Sequence, residues 1–378
     1  MNIGFDAKRA FSNFTGLGNY SRSLIKNLVD FYPGHNYFLY TPSLKKNPFN
    51  ELIQSHENIK VMTPGPLSNF FSSAWRSFGL KRVITKNKLD IYHGLSHEIP
   101  YQIHKTNIKS VVTIHDLIYY RFPHLFPYID RTIYDLKFRY ACQHANKIVA
   151  ISNQTKSDII NFFGVDEKKI NVVYQTCDDI FTKTCNEHEK REVSKKYHLP
   201  SEFVLYVGSL TERKNALGLV RAQNALQKNL KFPLVIIGDG KEYKRELIEY
   251  INRHKLYKHI LLLDSVEFKD LPAIYQQSKL FVYPSIFEGF GIPIIEAIHS
   301  KVPVITSTGS CFKEAGGEKS IYVDPHKTQD LASAIELALT DETRRSEMIK
   351  SGLVHMKMFH KEKVTNDLFS VYHDLTLS

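Results

Sequence analysis

The sequence alternates short apolar runs with longer stretches of helical spacing. The runs in the first half that suit β-strands are Ile3–Phe5, Tyr37–Tyr40, Ile59–Met62, Ile91–His93, Val111–Ile114, Ile148–Ile151 and Val172–Tyr174. Stretches 20–31, 131–145 and 153–163 lie between such runs and repeat apolar residues at the helical period. Because continuous apolar strands are buried on both faces, this alternation predicts a parallel sheet with helices on both sides.

The pattern stops after Tyr174 and then begins again. Residues 176–200 are polar and charged, so we expect the connection between two domains there. The strand-like runs of the second half are Phe203–Val207, Leu234–Ile237, Ile260–Leu263, Leu280–Tyr283, Val304–Ile305 and Ile321–Val323. The prediction is an α/β fold of two doubly wound, Rossmann-like domains, 1–185 and 186–355. Since such sheets bind ligands at the carboxyl ends of their strands, we expect the loops of both domains to face a central cleft.

Length, leader pattern and cysteine usage narrow the class of protein. A chain of 378 residues is long for one core, and none of its apolar runs approaches the roughly 20 residues of a membrane span. The N-terminal residues lack the basic and apolar pattern of a signal peptide. Metal-ligand spacing is also absent among the cysteines, which are Cys142, Cys177, Cys185 and Cys311. We therefore expect a cytoplasmic protein with reduced thiols.

The net charge of +11 points to an anionic partner or to a lysine-rich surface without a role. Nucleic acid, an anionic membrane surface and a phosphate-bearing substrate would each fit this charge. No nucleic-acid-binding motif accompanies the basic residues, so we expect no nucleic acid. A membrane-facing surface and a surface without a role both remain open.

The stretch from Tyr283 to Glu296 combines a strand, a glycine turn and a helix start. Pro284 ends the apolar strand, and Gly289 begins the turn. The N–H groups and the dipole of a helix start favour a phosphate there. The carboxylates Glu288 and Glu296 would repel a phosphate, so they fit the hydroxyls at the two ends of a sugar–diphosphate–nucleoside. The alternative is a buried strand–turn–helix with two solvated glutamates.

The same stretch resembles a family signature, the Glu-x7-Glu element of the family 4 retaining glycosyltransferases, which have the GT-B fold. The residues that carry the resemblance are Pro284, Ser285, Glu288, Gly289, Phe290, Gly291 and Glu296. The likeness covers most of the chain, from Gly16 to Pro325. It implies that Glu288 holds the transferred sugar, that Glu296 holds the ribose, and that the turn between them lies against the donor.

Two pairs of polar residues after strands match further elements of that family. Arg213 and Lys214, before a helix, would neutralise the leaving diphosphate; the alternative is a solvated basic loop. His115 ends an apolar strand and would contact the donor sugar and the reacting centre. Asp116 would orient His115 or its loop. The alternative for this pair is a cap that fixes a turn.

Two loops complete the implied donor site. Gly16 and Gly18 lie between the first strand and the next helical stretch, where the family places a glycine loop over the donor diphosphate. Asp264 and Ser265 end a strand of the second half, and the resemblance places the nucleotide base there. One departure is Lys301, which stands where the family commonly has a glycine before Pro-Val-Ile.

The C-terminal residues 356–378 include a stretch with the spacing of an amphipathic helix. In the family the last helix crosses back to the N-terminal domain, and Phe359, Phe369 and Tyr372 would supply that contact. A simple terminal helix on the second domain is the alternative.

The resemblance implies retaining transfer of a sugar from a nucleotide diphosphate-sugar to a hydroxyl of a glycan or lipid-linked oligosaccharide. Similar enzymes build bacterial O-antigen, lipopolysaccharide, capsule or exopolysaccharide, and many are mannosyltransferases, which suggests GDP-mannose as the donor. No Asp-x-Asp motif follows a strand, so we expect neither a cofactor nor an essential metal. The alternatives are a sugar-nucleotide epimerase or hydrolase on the same fold and a non-catalytic glycan-binding scaffold.

A last segment bears on the acceptor. Residues 70–82 mix aromatic with basic side chains. They lie either on the inner face of the cytoplasmic membrane, where a lipid-linked acceptor would enter, or on a core-facing helix. Both interpretations stay open.

Overall fold

Both halves of the sequence form the parallel sheet that the alternation predicts. The computed structural model describes residues 1–13, 15–44, 49–64, 79–226 and 232–377. They divide into one unit of Met1–Thr176 with Phe359–Ser378 and a second unit of Cys177–Met358. The aromatic and basic segment 70–78 lies outside the described residues.

The first unit contains a seven-stranded sheet in the order β3-β2-β1-β4-β5-β6-β7. Its strands are β1 (Asn2–Asp6), β2 (Asn36–Tyr40), β3 (Ile59–Met62), β4 (Ile91–Gly94), β5 (Lys109–Ile114), β6 (Lys147–Ala150) and β7 (Ile170–Val172). Every neighbouring pair is parallel. The strand order reverses between β1 and β4, and ligands of such sheets bind in the crevice at this reversal.

Helices cover both faces of the first sheet. They are Lys8–Ser12, Gly16–Phe31, Phe49–Gln54, Leu80–Lys86, Ile118–Arg121, Tyr128–His144, Asn153–Phe163 and Lys361–Leu377. Successive residues of β5 enter opposite cores: Val111 packs with Leu28 and Val112 packs with Phe138. A strand that is buried on both faces has no polar side, which is why these runs are continuously apolar.

The C-terminal helix Lys361–Leu377 belongs to the first unit. Leu368 and Tyr372 lie in the core with the helix Gly16–Phe31, and the Phe369 ring stacks on Tyr32 with centroids 3.7 Å apart. The Tyr372 hydroxyl is hydrogen-bonded to Nδ1 of His93 at 2.6 Å. The aromatic side chains of this helix thus pack on the first sheet.

The second unit contains a six-stranded sheet in the order β10-β9-β8-β11-β12-β13. Its strands are β8 (Val204–Val207), β9 (Leu234–Ile237), β10 (Ile260–Leu263), β11 (Leu280–Tyr283), β12 (Val304–Ser307) and β13 (Ile321–Val323). Its helices are Glu187–Tyr197, Ala216–Ala225, Glu242–Arg253, Leu271–Gln277, Ile292–His299, Phe312–Gly316, Thr328–Thr340 and Glu342–His355. No described helix of either unit combines the length and the apolar character that a bilayer crossing needs.

The stretch 176–200 contains regular structure that its polarity concealed. A helix occupies Glu187–Tyr197, and Asn186 and Glu189 form a capping box at its start. Val193 is buried, whereas charged side chains cover the rest of the helix surface. The N-terminal part of the first unit ends at Thr176, so the helix lies within the second unit, which begins at Cys177 and not at the expected residue 186.

Lys301 adopts the backbone conformation that a glycine would adopt at its position. Its φ of 62° is left-handed, and it follows the helix Ile292–His299. The lysine therefore accepts a conformation that favours glycine, and the chain turns into β12 without a glycine.

Candidate active site

Neighbouring strands bring Glu288 next to Arg213 and Lys214. β8 and β11 pair directly, and their carboxyl ends lie side by side. Arg213 and Lys214 lie on the short 3₁₀ turn Glu212–Lys214 after β8, and Glu288 lies in the loop after β11. The backbone N–H of Ile286 donates to the carbonyl of Arg213 at 2.8 Å. This bond fixes the two loops against each other.

One carboxylate oxygen of Glu288, Oε1, contacts two cationic side chains and two hydroxyl groups. Oε1 lies 2.9 Å from Nη1 of Arg213 and 2.9 Å from Nζ of Lys214. The hydroxyls of Tyr283 and Ser285 donate to the same oxygen at 2.9 and 2.7 Å. The distances known for these four neighbours, all described residues, are thus distances to Oε1 and not to the other oxygen, Oε2. Oε2 is therefore the oxygen that we expect a ligand to contact.

The charge state of Glu288 follows from these contacts. Burial by itself raises the pKa of a carboxyl group. The charges of Lys214 and Arg213, with the hydrogen bonds from Lys214 and Ser285, outweigh burial and lower the pKa of Glu288 to about 2. Glu288 is therefore ionised at neutral pH. Two cations against one carboxylate leave one positive charge at the carboxyl ends of β8 and β11, which suits a phosphate.

The glycine turn between the two glutamates is held by residues that the sequence analysis did not single out. Gly291, with a φ of 98°, is the N-cap of the helix Ile292–His299, a conformation that favours glycine. The Ser310 hydroxyl donates to the carbonyl of Glu288 at 2.8 Å, and the Cys311 thiol donates to the carbonyl of Phe290 at 3.0 Å. Both follow β12, the neighbour of β11, and only the fold shows this proximity.

Glu296 has a different environment on the same helix. The Tyr275 hydroxyl donates to Oε2 of Glu296 at 3.1 Å. Burial raises the pKa of Glu296 to about 7, and the nearby charge of Asp178 adds to this rise, whereas the bond from Tyr275 opposes it. Glu296 therefore changes its charge close to neutral pH, and within the described part of the chain no cation forms an ion pair with it as Arg213 does with Glu288.

The loop predicted to hold the base carries an exposed ion pair. Nζ of Lys244 lies 2.7 Å from Asp264 and 3.1 Å from Asp239, which follow the neighbouring strands β10 and β9. Ser265 comes next and is exposed. Asp264 and Ser265 are thus accessible at the carboxyl edge of the second sheet, and their contact with a base stays a prediction.

His115 lies at the carboxyl end of β5 in the first unit, where both of its ring nitrogens have protein partners. Nε2 lies 2.9 Å from the carbonyl of Leu95, and the side-chain amide of Gln175 lies 3.2 Å from Nδ1. A carbonyl accepts and an amide N–H donates, so the ring carries its proton on Nε2. Burial lowers the pKa of His115 to about 4, the Leu95 bond opposes this, and the charge of Arg9 adds to it. The ring is neutral and already engaged.

Asp116, Gly16 and Gly18 have local structural roles in addition to any contact with a ligand. The Asp116 carboxylate accepts the backbone N–H of Ile118 at 3.1 Å and caps the turn. The expected loop around Gly16 and Gly18 is instead the first turn of a helix that begins at Gly16. A Cβ on Gly18 would lie 1.8 Å from the carbonyl oxygen of Asn13, whereas nothing approaches Gly16. Gly18 is therefore explained by backbone packing.

Known proteins resemble this chain over nearly its whole length. Residues 14–179 match the family described as Glycosyltransferase Family 4, and residues 187–354 match the family described as Glycosyl transferases group 1. The O-antigen chain mannosyltransferase B of Escherichia coli is 26% identical and covers 98% of this chain and 99% of its own length. The O-antigen chain mannosyltransferase RfbU of Salmonella typhimurium is 27% identical over 72% of this chain and 70% of its own.

A solved structure supports the same fold. The crystal structure of Anabaena Alr3699/HepE in complex with UDP-glucose superposes with a TM-score of 0.76 at 18% identity, covering 99% of this chain and 100% of that one. Both halves of the sequence are thus matched by glycosyltransferase families, and the fold of the chain is shared with this solved structure. The chain belongs to the family 4-like glycosyltransferases with the GT-B fold and is a hexosyltransferase.

Proposed function

We propose that the protein transfers a mannosyl group, with retention of configuration, from GDP-mannose to a hydroxyl of a glycan or lipid-linked oligosaccharide in cell-surface polysaccharide synthesis. The observation that carries this proposal is Glu288, whose Oε1 holds Arg213 and Lys214 and leaves Oε2 for a ligand. The mannosyl group and the polysaccharide context are supported by the names of the two O-antigen mannosyltransferases that the chain resembles.

The donor is held by its two hydroxyl-rich ends and by its diphosphate. Arg213 and Lys214 carry one positive charge more than Glu288 neutralises, and this charge faces the diphosphate. Glu288 accepts hydrogen bonds from the mannosyl hydroxyls through Oε2. Glu296, once ionised, accepts hydrogen bonds from the ribose hydroxyls. The turn Gly289–Gly291 adds the N–H groups and dipole of a helix start.

The transfer is a displacement on one face of the sugar. The acceptor oxygen attacks the anomeric carbon from the side on which the diphosphate leaves. The bond from that carbon to the acceptor oxygen forms while its bond to the β-phosphate oxygen breaks, and the bonding pair leaves with GDP. The acceptor proton passes to the departing phosphate oxygen. Arg213 and Lys214 stabilise the charge on that oxygen, the role that a divalent cation has in other glycosyltransferases.

His115 takes part at the reacting centre only if a ligand replaces one of its present partners. The Gln175 amide at Nδ1 is the exchangeable partner, because it belongs to a side chain whereas the Leu95 carbonyl belongs to the backbone. A sugar hydroxyl at Nδ1 would donate to the same lone pair as the amide. His115 therefore acts as a neutral hydrogen-bond partner, and Asp116 keeps its turn in place.

Contact with the cytoplasmic face of the membrane is a further part of the proposal. The net charge of +11 favours anionic lipid, and the helix Tyr128–His144 exposes the large apolar side chains of Tyr128, Ile129 and Leu136. Co-sedimentation with phosphatidylglycerol vesicles, compared with phosphatidylcholine vesicles, tests this part. Binding that is equal for both lipids would contradict it.

Thermal unfolding with a panel of nucleotides tests the donor site. A ligand that binds the folded state raises Tm, so we expect GDP and GDP-mannose to stabilise the wild type more than UDP, UDP-glucose or ADP. Glu296→Ala should lose most of that stabilisation. A larger rise in Tm with another nucleotide would change the proposed base of the donor. No rise in Tm with any nucleotide at millimolar concentration would refute the donor site. Transfer in the presence of EDTA and the anomeric configuration of the product then test metal independence and retention.

A further inference from the structure

His97 lies in the crevice where the first sheet reverses its strand order. It follows β4, whose neighbours are β1 and β5. Arg9 follows β1 and His115 follows β5, so the three side chains come from adjacent carboxyl ends. Open parallel sheets bind their ligands at this position. His97 belongs to none of the sequence motifs described above.

The backbone of His97 is held in a conformation that a histidine seldom adopts. Its φ of 64° is left-handed, and its backbone N–H donates to the carbonyl of Thr113 at 2.9 Å. The ring stacks on Phe138 with centroids 4.2 Å apart and an angle of 4° between planes. Residues other than glycine keep a left-handed φ where the surrounding structure imposes it, and such residues concentrate at functional sites. The ring is thus fixed in place.

The nitrogens of His97 are available, in contrast to those of His115. Nδ1 of His97 is buried without a hydrogen-bond partner. Nε2 also has no partner among the described residues, but it is not buried. The His115 ring lies 5.2 Å away and has both nitrogens engaged. Because a buried N–H without an acceptor is rare, we place the proton of His97 on Nε2, the accessible nitrogen.

The surroundings keep His97 uncharged. Burial lowers the pKa of His97 well below its usual range, and the coupling to His115, which repels a second proton, and the charge of Arg9 lower it further. The Arg9 guanidinium makes no hydrogen bond or ion pair with the residues that the structure describes. A neutral imidazole offers one N–H donor, which suits a hydroxyl better than an anion.

We propose that His97 is an acceptor-binding residue whose Nε2 donates a hydrogen bond to a hydroxyl of the acceptor sugar. This inference rests on the proposed glycosyl transfer. His97 belongs to the first unit, whereas the carboxylates proposed to hold the donor belong to the second unit, so His97 is assigned to the acceptor and not to the donor. His97 then places an acceptor hydroxyl beside His115, the residue proposed for the reacting centre.

Titration followed by NMR reads His97 directly. The Cε1–Hε1 signal of His97 is assigned as the one that His97→Asn removes. We expect octyl α-D-mannopyranoside, added without a donor, to shift this signal saturably, and GDP alone to leave it in place. A His97 signal that ignores the glycoside, or that follows GDP, would overturn the proposal. Because no donor is needed, this readout is independent of the proposed donor specificity.

Steady-state kinetics separate acceptor binding from donor binding. Asparagine tolerates a left-handed φ, so His97→Asn keeps the backbone and removes the ring. We expect it to raise KM for octyl α-D-mannopyranoside at least tenfold while KM for GDP-mannose and the slow hydrolysis of GDP-mannose stay within twofold. Unchanged acceptor KM, or equal losses for donor and acceptor, would contradict the assignment.

Lys88→Asn is the matched control, because Lys88 is exposed, left-handed (φ 49°) and in the same unit. It should leave every kinetic constant unchanged. Both variants should unfold within about 2 °C of the wild type, and a large fall in Tm confined to His97→Asn would instead indicate a packing role. If no nucleotide stabilises even the wild type, the proposed function fails, and the NMR titration still decides the assignment of His97.

Discussion

Glu288 and Glu296 lie at the two ends of one turn and helix start, yet their surroundings are opposite in charge. Glu288 receives two cations and two hydroxyls on a single oxygen, and its pKa is lowered to about 2. Glu296 receives one hydroxyl, has Asp178 nearby, and has its pKa raised to about 7. Glu288 is therefore ionised at neutral pH, while Glu296 titrates near neutral pH.

Spacing in the sequence therefore does not determine the charge state of a pair of carboxylates. The partners of Glu288 come from β11 and from the loops after β8 and β11, which are adjacent in the sheet. Tyr275 comes instead from the helix Leu271–Gln277, and Asp178 precedes the 3₁₀ turn Asp179–Thr182. Each glutamate takes its charge state from the neighbours that the topology supplies. Glu288 thus holds two cations in place, whereas the charge of Glu296 depends on pH near neutrality.

The largest effect is expected from Glu288→Gln. The amide cannot balance Arg213 and Lys214, so both cations lose their common anchor at the diphosphate. We expect kcat to fall about 10²–10³-fold, the size seen when one preorganised electrostatic contact is removed. Glu212→Gln, on the same turn but exposed, is the control and should retain full kcat. Full activity of Glu288→Gln would show that its charge is dispensable.

Lys214→Met should lower the free energy of unfolding, because it removes one of the two cations that pair with Glu288. A depressed pKa stabilises the fold above the unfolded pKa of about 4.5, and this stability disappears as pH falls toward 2. With Arg213 still present, we expect a loss of about 2 kcal/mol near pH 7, a fraction of the cost of breaking a buried pair.

Chemical denaturation between pH 3 and pH 7 measures this loss, which should shrink below pH 4.5 as Glu288 takes up a proton. Lys313→Met removes an exposed lysine of the same unit and should change stability little at either pH. A difference between wild type and Lys214→Met that is independent of pH would mean that Lys214 stabilises the fold without acting through Glu288.

Glu296→Gln should remove a pH dependence of the free energy of unfolding. Because the folded pKa of Glu296 is raised to about 7, the folded state holds a proton between pH 4.5 and 7 that the unfolded state has released. Wild-type stability therefore falls across this window, and the variant should gain about 1 kcal/mol on the wild type between pH 5 and pH 8, after allowance for partial exposure.

The affinity for GDP should change with pH in the opposite direction to the stability of the wild type. GDP affinity of the wild type should rise with pH through about 7, because the ionised carboxylate is the better acceptor for ribose hydroxyls, and Glu296→Gln should bind weakly at every pH. Isothermal titration at pH 6 and pH 8 measures both. Equal pH profiles for the two proteins would remove Glu296 from the ribose site.

The smallest effect is expected from Tyr275→Phe. This change deletes the one hydrogen bond that lowers the pKa of Glu296. The midpoint of the pH dependence should move upward by a few tenths of a unit, since a single hydrogen bond to a carboxylate has a modest net effect. Tyr250→Phe, on a helix of the same unit, should leave the midpoint in place. A downward movement with Tyr275→Phe would contradict the charge assignment.

The sheets were predictable because burial on both faces makes every strand an apolar run. The helix Glu187–Tyr197 was missed for the converse reason, since a charged surface helix with Val193 as its buried residue resembles a connection. Arg213 and Lys214, which were predicted to bind a phosphate, also form ion pairs with Glu288. These ion pairs were not predicted, because the sequence of a single loop does not show which strands are neighbours. The family assignment sets aside the epimerase and scaffold alternatives.

The roles of individual residues were less predictable than the fold. Gly18 is required by the Asn13 carbonyl, a contact that no motif shows. Ser310 and Cys311 reach the glycine turn only because β12 lies beside β11. His97 shares with His115 its place near the end of a strand, but its left-handed backbone and unpaired nitrogens are tertiary properties. Conformation and pairing, which distinguish the two histidines, are set by the whole sheet.

The C-terminal helix has a consequence for synthesis on the ribosome. The first unit receives Leu368, Val371 and Tyr372 only after Cys177–Met358 has been made. At about 5–20 residues per second, the nascent first sheet waits roughly 10–40 s with the apolar face of Gly16–Phe31 uncovered and Nδ1 of His93 without its Tyr372 partner. Synthesis of the first unit therefore begins first and is completed last. During translation, a chaperone would meet the uncovered apolar face of the helix Gly16–Phe31.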